Sequence, residues 1–355
     1  MRETERYDPK IDALRGISFS IVFIGHFSYG NQHLSTAYNF APFGVVLFFC
    51  LSGFLLGRVV FREFEKTQRI SIPRFFLRRA FRILPLYIIF LILIYLLSQF
   101  SKLGNGSFAI SGKEWIHLLT FSYNLISFSD ASASPLPAVT WSLSIEEQIY
   151  LFFPFISLLI ARRKYLYLSI VLPVLILTSV LAQTYFFDGA SVDRLTGLYL
   201  FPVLIGMFCA YFEKQLRSKA ISKWHYFLLM STVLSVLIAL LKYSPSSSSG
   251  YVLGVLVIGS VFPLVLNLSG FKHDGVILNL LSRIGRVSFG CYLYHWIFWN
   301  LLQRFSIAFN DSSGFTPLGW SIGIISTLVI SFYSYRFIEL PFLSIRRRFQ
   351  VVETS

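Results

Sequence analysis

Arg15 and His26 stand eleven positions apart in one apolar stretch, Ile11 to Tyr29, which reads IDALRGISFSIVFIGHFSY. A helix turns about 100° per residue, so eleven steps end roughly 20° past three full turns and about 16 Å along the axis. The two side chains therefore share one face of one helix. A charged group at the centre of a membrane helix costs on the order of 2.5–3.5 kcal/mol, so it normally faces a cavity or a partner. An arginine reaching for one interface, or a histidine bonded inside a bundle, would account for either residue alone. Two on one face point to a functional site.

A second cationic group lies in PRFFLRRAFRILPLY, residues 73–87. Arg79 and Arg82 are three apart and share a face where the third apolar segment begins. Guanidinium groups at a membrane edge suit bidentate contacts to phosphate, and Arg15 is expected at a similar depth. Fixing topology or holding anionic lipid head groups is the other reading of the same basic run.

Carboxylates enter in TWSLSIEEQIYLFFP, residues 140–154. Glu146 and Glu147 lie one turn into a segment that starts on the side where His26 ends. A carboxylate accepting an imidazole N–H fixes the tautomer and raises the basicity of the other nitrogen. Adjacent positions point about 100° apart, so one of the two glutamates is expected to reach His26. The helix dipole also favours an acid near this N-terminus, which accounts for one of the pair.

Other positions carry less. Trp141 and Ser142 are pocket candidates beside the glutamates. FFCLSGF, residues 48–54, sets Ser52 and Gly53 in mid-membrane, where small residues serve close helix packing or a narrow ligand path, packing being the expected role. SFGCYLYHW places His295 two turns into the ninth segment, where a lone histidine is more often a satisfied bundle residue. Arg336 and Glu339 of RFIELP are expected to form a local i, i+3 ion pair. Cys50, Cys209 and Cys291 fall in different segments without metal or disulfide spacing and read as small apolar core residues. No P-loop, GxGxxG, zinc motif or internal repeat stands in the chain, and no metal is expected.

These residues need elements to hold them. Of 355 residues, 55% are hydrophobic and 14% charged, against roughly 25% charged in soluble domains. The mean hydropathy is +0.65. An all-α, polytopic membrane protein is expected, with about ten spans near 11–29, 42–61, 83–100, 144–160, 165–186, 197–212, 225–243, 251–269, 287–305 and 317–338. Charge tests the parse: 23 of the 31 Lys and Arg fall in connections on one side and 5 on the other, while Arg15, Arg58 and Arg336 lie inside spans near the basic side. By the positive-inside rule both termini are expected in the cytoplasm, in a multi-pass inner (plasma) membrane protein surrounded by lipid. The same rule accounts for the net charge of +14, so nucleic-acid binding is set aside. Between the spans, residues 101–143 form the one sizeable connection, with Lys113 to Phe128 a candidate interfacial helix and Ser244 to Gly250 a flexible turn. No cleaved leader is expected, because the N-terminal region runs into a full-length span without an A-x-A-like site.

Taken together, DALRG with Arg15–x10–His26, FFCLSGF, RRAFRILPLY, TWSLSIEEQIYLFFP, SFGCYLYHW and RFIELP resemble the membrane-bound acyltransferase-3 family, which modifies bacterial surface polysaccharides, macrolide antibiotics and similar hydroxyl-bearing acceptors. The resemblance runs from residue 8 to about 345, leaving 346–355 as a basic tail. It implies a ten-span helical enzyme that takes an acyl group, usually acetyl, from cytoplasmic acyl-CoA to an acceptor hydroxyl on the far side. The acyl-CoA is then a cosubstrate, with no tightly bound cofactor. In that reading His26 matches the catalytic histidine, Arg15 its essential partner, and Arg79 with Arg82 the R-x-x-R pair. Arg15, Arg79 and Arg82 would hold the CoA phosphates, and His26 would act as general base or accept the acyl group itself. Ser52 lacks an obvious base, which disfavours an acyl-serine. Leu340 departs from the basic residue many members carry, and no appended soluble hydrolase-like domain is expected. The rival class is a transporter or flippase of a sugar or lipid, since intramembrane His, Arg and Glu also mark proton coupling.

Overall fold

The structure, a computed structural model, describes residues 8–28, 40–101, 108–126, 133–186, 196–213, 262, 275–304, 309–310 and 314–349. It is all-helical apart from a two-residue antiparallel pairing of β1 (Phe309–Asn310) with β2 (Gly314–Phe315). In chain order the helices are α1 (Pro9–Phe27), α2 (Ala41–Thr67), α3 (Ile72–Ser101), the short α4 (Gly112–Leu119), α5 (Thr140–Ala161), α6 (Tyr165–Phe186) and α7 (Thr196–Tyr211). After them come α8 (Val276–Arg286), α9 (Ser288–Arg304), α10 (Pro317–Ser334), a π turn (Tyr335–Glu339) and α11 (Leu340–Arg346).

Helices occupy eight of the ten expected segments; 225–243 and 251–269 fall outside the described residues except for Phe262, as does the turn 244–250. Among the described residues, four helices are long and apolar enough to cross a membrane, or five if α8 and α9 form one span bent by 77°. Several boundaries differ from expectation. α3 starts at Ile72 rather than 83, so Arg74, Arg78, Arg79 and Arg82 sit on the span's own helix and the turn before it shrinks to a few residues. Gln68, at φ 55°, ends α2 in the left-handed region and closes that turn. The interfacial helix expected over 113–128 stops at Leu119, where a 3₁₀ turn, Tyr123–Leu125, takes over.

Side-chain caps mark three of the helix starts. Asp8 accepts the Lys10 N–H at 3.2 Å ahead of Pro9, and Ser111 with Glu114 forms a capping box at α4. Thr316 accepts the Gly319 N–H ahead of Pro317.

In lipid the hydrophobic effect does not join helices, so close backbone packing must. α1 is held this way on two sides. A Cβ on Gly16 would overlap the Leu281 carbonyl of α8, and one on Gly285 would overlap the Asp12 carbonyl of α1. On the other side Gly44 of α2 meets the Ser18 carbonyl, and Gly25 meets Ala41. α2 and α7 interlock similarly, Gly53 against the Val203 carbonyl and Gly206 against that of Cys50. Large apolar side chains such as Ile92 of α3, Phe155 of α5 and Phe332 of α10 remain exposed on the outside, as a lipid-facing surface requires. The three cysteines are free and buried.

Polar networks close both ends. At the end rich in arginine, Glu63 accepts the Ser71 N–H at 2.7 Å and pairs with Arg78 at 3.1 Å, and Arg78 also donates to the Phe349 carbonyl. At the opposite end the buried Glu114 accepts from Ser111, Tyr123 and the Ser134 N–H, while Gln148 joins Phe121, Asn124 and Thr196. Gly285→Ala is expected to lower the thermal midpoint of the detergent-solubilised protein by several degrees, overpacking costing about 1–3 kcal/mol. Gly112→Ala, where a Cβ meets nothing within 4 Å, should leave it unchanged. Scanning fluorimetry on the two variants checks both.

Candidate active site

Arg15 points from α1 into a cavity of about 860 Å³ enclosed by α1, α2, α3, α5, the α8–α9 junction and the π turn with α11. Seven arginines line it: Arg15, Arg58, Arg62, Arg79, Arg82, Arg286 and Arg346. Five acids oppose them: Asp8, Asp12, Glu146, Glu213 and Glu339. Asp12 lies 3.6 Å from Arg15, one turn away on α1, and Glu213 is 3.0 Å from Arg58. Arginines outnumber acids, and their guanidinium forks suit phosphate oxygens. Arg79 and Arg82 reach the cavity together because they are three apart on α3. Arg79 stacks over the Tyr150 ring at 5.6 Å, and its Nε is buried without a hydrogen-bond partner among the described residues.

Midway along the cavity Glu146 accepts hydrogen bonds from the hydroxyls of Ser52 and Tyr150, which are themselves 2.7 Å apart. Ser52 thus has the carboxylate it was expected to lack. The arrangement offers a bound chain an acceptor, two hydroxyls and the apolar walls of Val45, Phe49 and Leu143.

The inner end is bounded by Phe48, Ser142 and Tyr292. Tyr292 and Ser142 hydroxyls are 2.6 Å apart, and Tyr292 also donates to the Val139 carbonyl at 3.3 Å. The Tyr292 ring packs against His295 with centroids 5.7 Å apart. His295, fully buried, faces His26 with Nε2 2.9 Å from the His26 Nδ1, the two rings being nearly coplanar at 6°. The edge of Trp296 meets His26 at 4.8 Å, and the Trp296 indole donates to the Pro135 carbonyl at 2.6 Å. The His26 imidazole and the arginine-lined cavity therefore sit toward opposite ends of one helix face, Arg15 and His26 being about 16 Å apart along α1.

Several expected placements are corrected. Neither Glu146 nor Glu147 occupies the His26 nitrogen facing the bundle: His295 does, Glu146 is held by Ser52 and Tyr150, and Oε1 of Glu147 is buried without a hydrogen-bond partner among the described residues. Gly53 does not line the cavity, because its α face is filled by the α7 backbone. Trp141 packs on Tyr199 at 5.5 Å instead. Arg336 is exposed whereas Glu339 is buried in the cavity wall, so the expected ion pair is not made. The π turn over Tyr335–Glu339 is the cause, its wider turn swinging Glu339 away from the i+3 direction. Arg15, Arg79, Arg82, Ser52 and Ser142 line the cavity. Asp12, Tyr150, Tyr292, Arg286 and Glu339 were not anticipated. Tyr150 follows Glu146 by one turn and Glu339 is an isolated acid in an apolar run, signals too common to be selective.

The family described as acyltransferase domain matches residues 8–336. The chain is 26% identical over 373 residues to the peptidoglycan O-acetyltransferase OatA of Listeria monocytogenes, covering 96% of this chain and 56% of that protein. It is also 26% identical over 360 residues to a putative peptidoglycan O-acetyltransferase of Bacillus subtilis, covering 95% and 55%, and similarly to putative O-acetyltransferases of Staphylococcus aureus. The chain thus spans little more than half the length of the curated relatives it matches. No solved structure matches it.

With ADP as a soluble polyphosphate probe, Arg15→Ala or Arg82→Ala is expected to raise the Kd about tenfold, roughly 1.4 kcal/mol per lost charge-assisted contact. Arg69→Ala, on an exposed turn, should not. Titration calorimetry of the purified chain decides.

Proposed function

This chain belongs to the acyltransferase family whose domain it matches, and from that premise we propose that it moves an acyl group, acetyl by choice, from acyl-CoA to a hydroxyl of a cell-envelope carbohydrate. The observation that carries the reading is the joint placement of the arginine-lined cavity and the His26 imidazole on one face of α1. The names of the relatives speak of peptidoglycan, which makes an amino-sugar glycan the first acceptor to test. The basic end of the bundle is the cytoplasmic one, both termini lie there, and the chain crosses the plasma membrane about ten times.

In this reading the CoA phosphates rest among Arg15, Arg79 and Arg82, and the pantetheine arm passes Ser52, Glu146 and Tyr150. The thioester arrives beyond Tyr292, beside His26. The acceptor hydroxyl enters from the opposite end and gives its proton to His26 as its oxygen attacks the thioester carbon. The C–O bond forms, the C–S bond breaks, and the leaving thiolate takes the proton back from the imidazolium. Transfer by way of an acyl group on His26 uses the same geometry in two steps. Ser52, although bonded to Glu146, lines the cavity with the arginines, which His26 does not, and serves the arm rather than the acyl carbon.

Wild-type chain and His26→Ala are to be expressed in the same host and their envelope glycans compared by intact mass. The expected result is a base-labile gain of one acetyl mass that falls by at least 10²-fold in His26→Ala, with equal protein in the membrane fraction. An active His26→Ala overturns the assignment. Unchanged glycan mass together with movement of an unmodified sugar or lipid across vesicles containing the protein would establish the transporter reading instead.

A further inference from the structure

We infer that His295 is a positioning residue that locks His26 in one tautomer, leaving the His26 Nε2 as the nitrogen that does the chemistry. The argument is a chain of donors and acceptors. His295 Nδ1 lies 3.1 Å from the Cys291 carbonyl oxygen. A carbonyl only accepts, so Nδ1 of His295 carries a proton. His295 is fully buried, and among the described residues its polar partners are carbonyls of its own helix and a second imidazole rather than a carboxylate, so it is neutral and its Nε2 holds a lone pair. That lone pair faces the His26 Nδ1 at 2.9 Å. The His26 Nδ1 must therefore be the donor, and its Nε2 is left unprotonated on the far side of the ring.

This tautomer is the less populated one for a histidine in water, so something must select it. Among the described residues the neighbours narrow the choice to His295. The Trp296 indole N–H is already given to Pro135, and Glu146 is committed to Ser52 and Tyr150. The His295 ring cannot turn away, being held edge-on to Phe19 at 5.9 Å and against Tyr292. Among the described residues no third His, Cys, Asp or Glu joins the pair in a cluster that could hold a metal ion, and the 2.9 Å spacing with coplanar rings is that of a direct hydrogen bond. When His26 takes a proton, the same contact becomes charge-assisted and strengthens as the cation forms. A neutral histidine thus holds the place that a carboxylate occupies in the better-known triads.

The catalytic consequence rests on the acyl-transfer reading of His26; the tautomer itself does not, and the test separates the two. The full chain, labelled with ¹⁵N-histidine and placed in lipid bilayers, is measured by nitrogen NMR. His26 is assigned among the six histidines by its disappearance in His26→Gln. His117, whose Nδ1 is 2.8 Å from Ser122 Oγ, reports on folding elsewhere. The expected wild-type spectrum has His26 protonated on Nδ1 and bare on Nε2. His295→Phe should move the proton to Nε2 in most molecules, and His295→Gln, whose side-chain carbonyl reaches the same acceptor position, should restore it. A wild-type His26 protonated on Nε2, or a tautomer indifferent to His295→Phe, overturns the inference. In cells the same pair should differ in glycan acetylation, about 10²-fold down in His295→Phe and within about tenfold of wild type in His295→Gln. Equal loss in both variants would leave the tautomer standing and overturn its role in turnover.

Discussion

The contact between α1 and α8 at Gly16 and Gly285 is what the site depends on. α1 carries Asp12, Arg15 and His26 through a bundle that offers no water, so each polar side chain must find a protein partner or a cavity. With hydrogen in place of side chains at the crossing, the two backbones come close enough for Arg286, at the end of α8, to share the cavity with Arg15. The 77° bend that follows then turns α9 along α1 and delivers His295 to His26. A side chain at either glycine would separate the arginines of the two helices and the two imidazoles together.

The polar groups are divided by depth. Arginines collect where α1 and α3 begin and α2 ends, and there acids keep the cavity from being a bare cationic hole. The imidazoles lie toward the other end, behind Tyr292 and below a loop pinned by Trp296, Glu114 and Gln148. Between them stands one hydrogen-bonded trio, Ser52, Glu146 and Tyr150. A long ligand with an anionic head and a reactive tail fits such a division, since each part meets groups of matching chemistry. A compact ligand would leave one end of the cavity unused.

The residues at this site also show why membrane interiors tolerate so much charge when it is organised. Arg79 meets an aromatic face, Arg58 meets a carboxylate, and Arg15 has Asp12 a turn away. Such contacts return part of the cost of burial. The π turn at Tyr335–Glu339 serves the same end by aiming a carboxylate inward from the end of a largely apolar helix.

From its residues alone this chain declared itself an all-helical membrane protein with Arg15 and His26 on one face of its first helix, because hydropathy, the sidedness of Lys and Arg, and a period of about 3.6 residues are local quantities. Arg15 with His26, and Arg79 with Arg82, were legible for that reason: each pair lies on one helix, where spacing sets direction. Partners on different helices were not. Nothing in the spacing of Glu146 says that it meets Ser52 rather than His26, and nothing in SFGCYLYHW says that His295 faces His26 across 269 residues of chain. Those choices belong to tertiary structure, to glycine contacts that set how near helices come, a bend that sets where α9 runs, and a π turn that changes which way a side chain points.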